Sequence, residues 1–292
     1  MRIVAWRPDL ADLRVYGQLA AHSYVQPAPS VCRVPVAGVR AAPDPAATQT
    51  TQLLLGETFH LLEIGETWAW GYCGHDSYVG YVEAACLEVL PDGAPDDTPA
   101  SAPTHRVSAP QGLVFSGPGI KTALRLTLPL GARLRLTEHD DTFLALPDDS
   151  LCPGGGFIHR RHVRALGEWN ADPASVAESL LGTPYLWGGR TRAGIDCSGL
   201  VQAALMACGI PCPRDSDQQQ AVGRPVPQSE WNALQRGDIV FFPGHVGLMA
   251  DATRLIHANA FWMDTVTEPL ADVITRLKPE TNTPVLCVRR LG

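Results

Sequence analysis

The sequence predicts a multidomain chain in which two small β-barrels precede a part where helices are followed by strands. Three observations carry this. Residues 53–70 (LLLGETFHLLEIGETWAW) and 128–146 (LPLGARLRLTEHDDTFLAL) align with Gly56 on Gly131, Glu63 on Glu138 and Trp68 on Phe143, an offset of 75 each time, which is the mark of a repeated unit. Residues 91–103 concentrate Pro, Asp and Gly, as a connector does. From Pro173 onward the apolar spacing turns helical and then alternates.

Taken in order, residues 1–90 read as an N-terminal extension and a first β-unit, two alternating strands around a polar turn followed by an aromatic strand over 78–82. Short strands with turns and little helix suit a small barrel. After the linker at 91–103, residues 104–166 read as the second copy, with its last strand over 157–163. Pro153 to Gly156 lacks the strand, helix and Lys of a phosphate loop and reads as a hairpin turn. His159 and His162 would fall on opposite faces of their strand, a solvated edge. A boundary near 166–170 precedes a helix over 173–181 that opens the part spanning 167–292.

The string GTPYLWGG at 182–189 is followed by Asp196-Cys-Ser-Gly199 at the head of an apolar run. Leu200, Val201, Ala203, Ala204, Leu205 and Ala207 have helical spacing that stops at Gly209, so Asp196 is the expected N-cap and Gly209 the expected C′ residue. Cys197 then lies in the first turn. Unpaired amides and the positive end of the helix dipole favour a thiolate there and can lower a cysteine pKa from about 8.5 to roughly 3.5 to 7.5. The same amides can hold an oxyanion.

Two histidines follow, in GDIVFFPGHVGLM (237–249) and LIHA (255–258). Both segments read as strands joined by Asp251-Ala-Thr253. Pairing about Asp251 sets His245 directly opposite His257, so the two share a face and one imidazole can orient the other.

Composition narrows the function classes. In 292 residues, 45% hydrophobic, there is room for two or three cores. Lys and Arg number 23 against 30 Asp and Glu, a net charge of −7, with no basic run longer than Arg160-Arg161, which argues against nucleic acid or anionic membrane as partner. No segment approaches the roughly 20 apolar residues of a membrane span. The stretch from Arg2 to Asp12 shows no apolar export core, so a cytoplasmic location is expected. Eight cysteines without CxxC spacing read as reduced thiols. The two histidines have no third ligand at zinc-like spacing, so no metal and no cofactor is expected.

The strings GTPYLWGG, DCSGLVQAAL, PRDSDQQ, GDIVFF and HVGLM, in this order with Cys197 before His245 before His257, closely resemble the NlpC/P60 cysteine peptidases of bacteria, which act on peptidoglycan peptides. The full reading is two N-terminal SH3-like β-barrels followed by an α+β papain-like NlpC/P60 domain. The resemblance implies that Cys197 is the nucleophile, His245 its base and His257 the residue that orients His245. It also places Tyr185, Trp187, Asp196 and Ser198 in the substrate site. Lipid-acting relatives are permuted, with His before Cys, and the chain order here argues against them.

The Gly-Glu step, the Trp-Ala-Trp strand and Tyr-Val-Gly-Tyr-Val at 78–82 resemble bacterial SH3 (SH3b) domains. SH3b units ahead of NlpC/P60 are similar to the γ-D-glutamyl-L-diamino acid endopeptidases, which cut after D-Glu in murein peptides with a free L-Ala amine. That resemblance implies amine or peptide contacts from Tyr78, Asp215 and Ser216. Thr48 stands where related sequences often carry an acidic residue, leaving Asp215 or a carboxylate such as Glu57 for the amine. The rival readings are a hydrolase of intact wall and a wall-binding protein with an inactive peptidase domain. Oligomeric state is not readable from the sequence.

Overall fold

The computed structural model describes residues 3–91, 102–149, 153–278 and 281–292. The expected linker at 91–103 falls almost wholly outside them. The chain divides into two compact units, Met1–Glu168 and Trp169–Gly292.

In the first unit an antiparallel seven-stranded sheet runs in the order Gln49–Leu54, Val36–Arg40, Val79–Glu83, Trp68–Cys73, Thr58–Ile64, Ala28–Cys32 and Leu87–Val89. Alternation puts Val39, Leu53, Phe59, Ala69 and Val82 inside, each fully buried. A bulge between Leu61 and Glu63 bends one strand around that core. Gly71 is required where the strands close up, since a Cβ there would lie 2.1 Å from the His60 carbonyl oxygen. The N-terminal extension is strapped on by two guanidinium groups: Arg7 lies 4.3 Å over the Trp70 ring and pairs with Glu63 at 2.8 Å, and Arg14 lies 4.7 Å over Tyr72.

The second β-unit has a five-stranded sheet with Gln111–Phe115, Gly156–His159 and Phe143–Leu146 at its centre, and a three-stranded one of Arg133–Leu134, His105–Val107 and Val163–Ala165. Its core is Val107, Val114, Leu128, Leu134, Leu144 and Ile158. The repeat is visible in the backbone. Gly56 and Gly131 both turn with positive φ, 74° and 92°, and the one-turn helices Ala84–Cys86 and Arg160–His162 occupy matching places. The strand expected over 157–163 is therefore broken: the His159 ring accepts the Arg161 amide at 3.1 Å and starts a 3₁₀ turn. The two β-units meet at Leu55, whose carbonyl accepts the Arg133 amide at 2.8 Å and whose side chain joins the second core.

The second unit is an antiparallel six-stranded sheet ordered Arg224–Pro225, Cys287–Arg290, Ile239–Phe242, His245–Met249, Arg254–Asn259 and Asp264–Pro269. Ile239–Phe242 is buried on both faces, as its continuous apolar run requires. One face carries Val240, Phe242, Met249 and Leu255 against Val273 of helix Leu270–Leu277. The helix Cys197–Ala207 packs on the strand His245–Met249, with Leu200, Val201, Ala204 and Leu205 fully buried. The opening helix is shorter than expected, Pro173–Glu178. Asp172 caps it through the Ala174 amide at 3.0 Å, while the Ser179 hydroxyl bonds back to the Val176 carbonyl at 2.6 Å where the helix stops. The seven described cysteines are all free.

Candidate active site

Asp196 fixes the start of the Cys197–Ala207 helix. Its Oδ1 accepts the Gly199 amide at 2.7 Å and its Oδ2 the Gly188 amide at 2.8 Å, so one carboxylate ties the GTPYLWGG loop to the helix cap. Behind it Arg214, 1% exposed, pairs with Asp196 at 2.6 Å and donates to the Ser198 hydroxyl at 2.7 Å. Gly199 admits the loop backbone: a Cβ there would lie 2.2 Å from the Gly189 carbonyl oxygen. Gly209, with φ 76°, ends the helix at the expected place.

Cys197 thus heads the helix, almost fully buried, with the backbone amides of Val246 and Ser198 acting to favour its anion. Burial pushes its thiol up to about 11, and the Asp196 carboxylate adds to the rise. The low-pKa thiol expected from helix position is therefore not the resting form, because removal from water outweighs the amides and Arg214 that favour the anion.

The hairpin after it differs by two residues from the expected register. Leu248 faces Ile256 and Met249 faces Leu255, so Ala252 centres the turn. Asp251 opens the turn instead, its Oδ1 accepting the amides of Thr253 and Arg254, each at 2.9 Å. An even shift preserves the face, and His245 and His257 become diagonal neighbours. His245 Nε2 lies 2.7 Å from His257 Nδ1. Burial, with His257 adding, pushes His245 down to about 3. Burial lowers His257 as well, against the pull of Glu268. At neutral pH the base is an uncharged imidazole.

Sequence reasoning missed three residues around His257. Glu268 Oε1 lies 2.8 Å from His257 Nε2, and the carboxylate pairs through both oxygens with Arg276. Asn259 Nδ2 approaches the same nitrogen at 3.1 Å, while its Oδ1 accepts the Trp262 amide at 2.9 Å. The signal available was strand parity, since Val266 faces His257 and Glu268 follows two residues later on the same face. Arg276 lies 4.2 Å over the Phe261 ring.

The expected substrate residues are placed as follows. Tyr185 is half-buried near Cys197, which with burial helps push its phenol up to about 12. Trp187 is 63% exposed. Asp196 and Ser198 are buried against Arg214. Asp215 and Ser216 are half-buried at the start of the short helix Ser216–Gln219. Tyr78 packs into the core of the first β-unit. Glu57 is 2% exposed there, its carboxylate accepting the Leu54 amide at 2.9 Å, and Thr48 is exposed.

Residues 182–271 match the NlpC/P60 family, and residues 39–87 match the bacterial dipeptidyl-peptidase SH3 domain. The chain carries an NlpC/P60 domain behind a bacterial SH3 domain. It is 28% identical over 236 residues to dipeptidyl-peptidase 6 of Lysinibacillus sphaericus, covering 77% of this chain and 85% of that protein. It is 31% identical over 142 residues to the gamma-D-glutamyl-L-lysine dipeptidyl-peptidase of Bacillus cereus, covering 46% of this chain and 37% of that protein. A crystal structure of an NlpC/P60 family protein from Bacillus cereus shares the fold, with a TM-score of 0.72 and 21% identity over 90% of this chain and 99% of that chain. With a cysteine at the helix head and an imidazole pair in the facing strands, the NlpC/P60 domain is that of a cysteine peptidase. Among the described residues no group of three His, Cys, Asp or Glu could hold a metal ion. No described helix is long and apolar enough to cross a membrane.

Proposed function

We propose that the chain hydrolyses the amide between γ-D-glutamate and the diamino acid of murein peptides that carry a free N-terminal L-Ala, and that it serves the recycling of wall peptides. The observation that carries the reading is the Cys197, His245, His257 series at the head of a capped helix. Similarity to dipeptidyl-peptidase 6 over most of both chains supports a dipeptidyl-peptidase, and similarity to the gamma-D-glutamyl-L-lysine dipeptidyl-peptidase over part of the chain supports the substrate class. The whole is read as SH3-like barrels, the second being residues 104–166, ahead of a papain-like peptidase.

The steps follow from the resting charges. His245 removes the Cys197 proton as sulfur attacks the glutamyl carbonyl, and amides at the helix start receive the oxyanion. The imidazolium returns its proton to the leaving amine of the diamino acid, giving a thioester. Water, deprotonated by His245, then releases the dipeptide acid and the thiol. Tyr185 and Trp187 flank the acyl side, and Asp215 supplies a carboxylate for the L-Ala ammonium. A bond cut only beside a free L-Ala amine is absent from intact murein, where that nitrogen is acylated, so released peptides are the natural substrates.

Mass analysis of products from L-Ala-γ-D-Glu-diaminopimelate tests this. The dipeptide L-Ala-D-Glu and free diaminopimelate are expected. Release of fragments from intact sacculi at a comparable rate would favour a general wall hydrolase, and no turnover of either would favour a wall-binding module.

A further inference from the structure

We propose that Glu268, clamped by Arg276, is a positioning residue that sets the tautomers of both histidines and so decides which nitrogen of His245 is the base. The proposal rests on the cysteine-peptidase reading above. A carboxylate is an acceptor only, and Glu268 lies on the far nitrogen of His257, 2.8 Å from Nε2. His257 Nε2 must then carry the proton. Its Nδ1 is left with a lone pair, which accepts from His245 Nε2 across 2.7 Å. That leaves Nδ1 of His245 as the unprotonated nitrogen, free to take the thiol proton.

The burial of the series makes the assignment consequential. His257 is 1% exposed and Glu268 only 11%, so water does not scramble the donors and acceptors. Arg276 keeps the carboxylate charged and turned, with NH1 at 3.1 Å from Oε1 and NH2 on Oε2, and is itself stacked on Phe261. Asn259 Nδ2 is held toward His257 Nε2 at 3.1 Å because its Oδ1 accepts the Trp262 amide. With an amide donor also at that nitrogen, an acceptor oxygen at position 268 is what keeps the proton there. Without it, Asn259 would donate to Nε2, and every proton in the series would move to the opposite nitrogen.

Glu268→Gln is therefore expected to do more than remove charge. Arg276 is a donor only, so the new amide gives its oxygen to Arg276 and its NH2 to His257 Nε2. His257 must then donate from Nδ1, and the proton of His245 sits on the nitrogen that should act as base. The expected result is a fall in kcat of about 10²-fold or more with KM changed less than about threefold, as for loss of a general base. Adding Arg276→Leu to Glu268→Gln frees the amide to present its oxygen to His257, and should restore kcat by roughly tenfold over the single variant. A purely structural role for the ion pair gives no rescue.

The tautomers are read without substrate from ¹⁵N-histidine spectra of folded Cys197→Ala protein, so failure here and failure of the peptidase reading are distinguishable. Nε2–H on both rings is expected, inverting to Nδ1–H with Glu268→Gln. Nδ1–H on His245 with Glu268 intact, a Glu268→Gln kcat within about threefold of the parent, or a double variant as slow as the single one overturns the proposal.

Discussion

His245 Nε2 stands 2.7 Å from His257 Nδ1, two residues off direct opposition across the hairpin, with His257 sealed from solvent at 1% exposure. A buried imidazole in that position acts on the base and has no surface left for substrate. His257→Ala should therefore lower kcat by about 10²-fold and raise KM far less, the pattern of a group felt in the transition state through His245. Steady-state kinetics on a defined murein peptide provide the check, and equal changes in kcat and KM would speak for a binding role.

Cys197→Ala and His245→Ala should each remove turnover, since general-base loss alone is worth about 10² to 10⁴ in rate. Substantial peptidase activity in purified Cys197→Ala protein would falsify the mechanism. The resting thiol has its own signature. With burial holding it near 11, alkylation by iodoacetamide should be slow at neutral pH and rise steadily toward pH 10. A rate already at plateau by pH 7 would mean a preformed thiolate.

The imidazoles also make stability depend on pH. His245 is held near 3 when folded, against about 6.5 for a free histidine, and His257 is lowered too. Between those values the unfolded chain binds more protons than the folded one. Their contribution is thus fully present above about pH 6.5 and is lost as pH falls toward 3. Glu268, lowered by Arg276 and His257 despite its burial, acts in the same direction at the acid end. Urea midpoints of wild type and His245→Gln should converge as pH drops from 7 to 4. A gap that stays constant would show that His245 is not held neutral by the fold.

Gly199 sits where the loop and the nucleophile helix touch, and a Cβ would lie 2.2 Å from the Gly189 carbonyl oxygen and 2.9 Å from Asp196 Oδ1. Gly199→Ala must push the loop off the helix head. A loss of about 1 to 3 kcal/mol is expected from such overpacking, together with loss of activity as the Asp196 cap shifts under Cys197. Denaturation midpoints compared with those of Ala203→Gly separate this clash from ordinary helix propensity.

What the sequence made legible was local. Cys197, Asp196 and Gly209 could be placed because caps and apolar spacing act within one helix, and the shared face of His245 and His257 followed from parity even though the register was off by two. The turn misplacement came from Asp251, whose side chain bonds forward to Thr253 and Arg254 and so opens the turn. Glu268 was reachable only by carrying strand parity through a second hairpin, and Arg276 was hidden because it lies on a later helix, where spacing along the chain carries no signal. The thiol's raised pKa was hidden for a related reason. Helix position is local, but desolvation comes from the strand packed over it, which the spacing could not weigh. In the second β-unit, His159 accepts a backbone amide two residues on, a local competitor that breaks an otherwise strand-like run.

Substrate selection turns on the amine. Asp215 is half-buried at the start of the helix Ser216–Gln219 and follows directly on Arg214, which engages Asp196 and Ser198. If its carboxylate receives the L-Ala ammonium, an acetylated peptide leaves that charge without its cation. A group so stranded costs about 1 to 3 kcal/mol, or tenfold to more than a hundredfold in kcat/KM. Asp215→Asn should then slow the free peptide and leave the acetylated one nearly unchanged, narrowing the ratio between them. The comparison needs four values of kcat/KM, two peptides against two proteins. A ratio near one in the parent protein would remove the free-amine requirement, and an unchanged ratio in Asp215→Asn would move amine recognition to another residue.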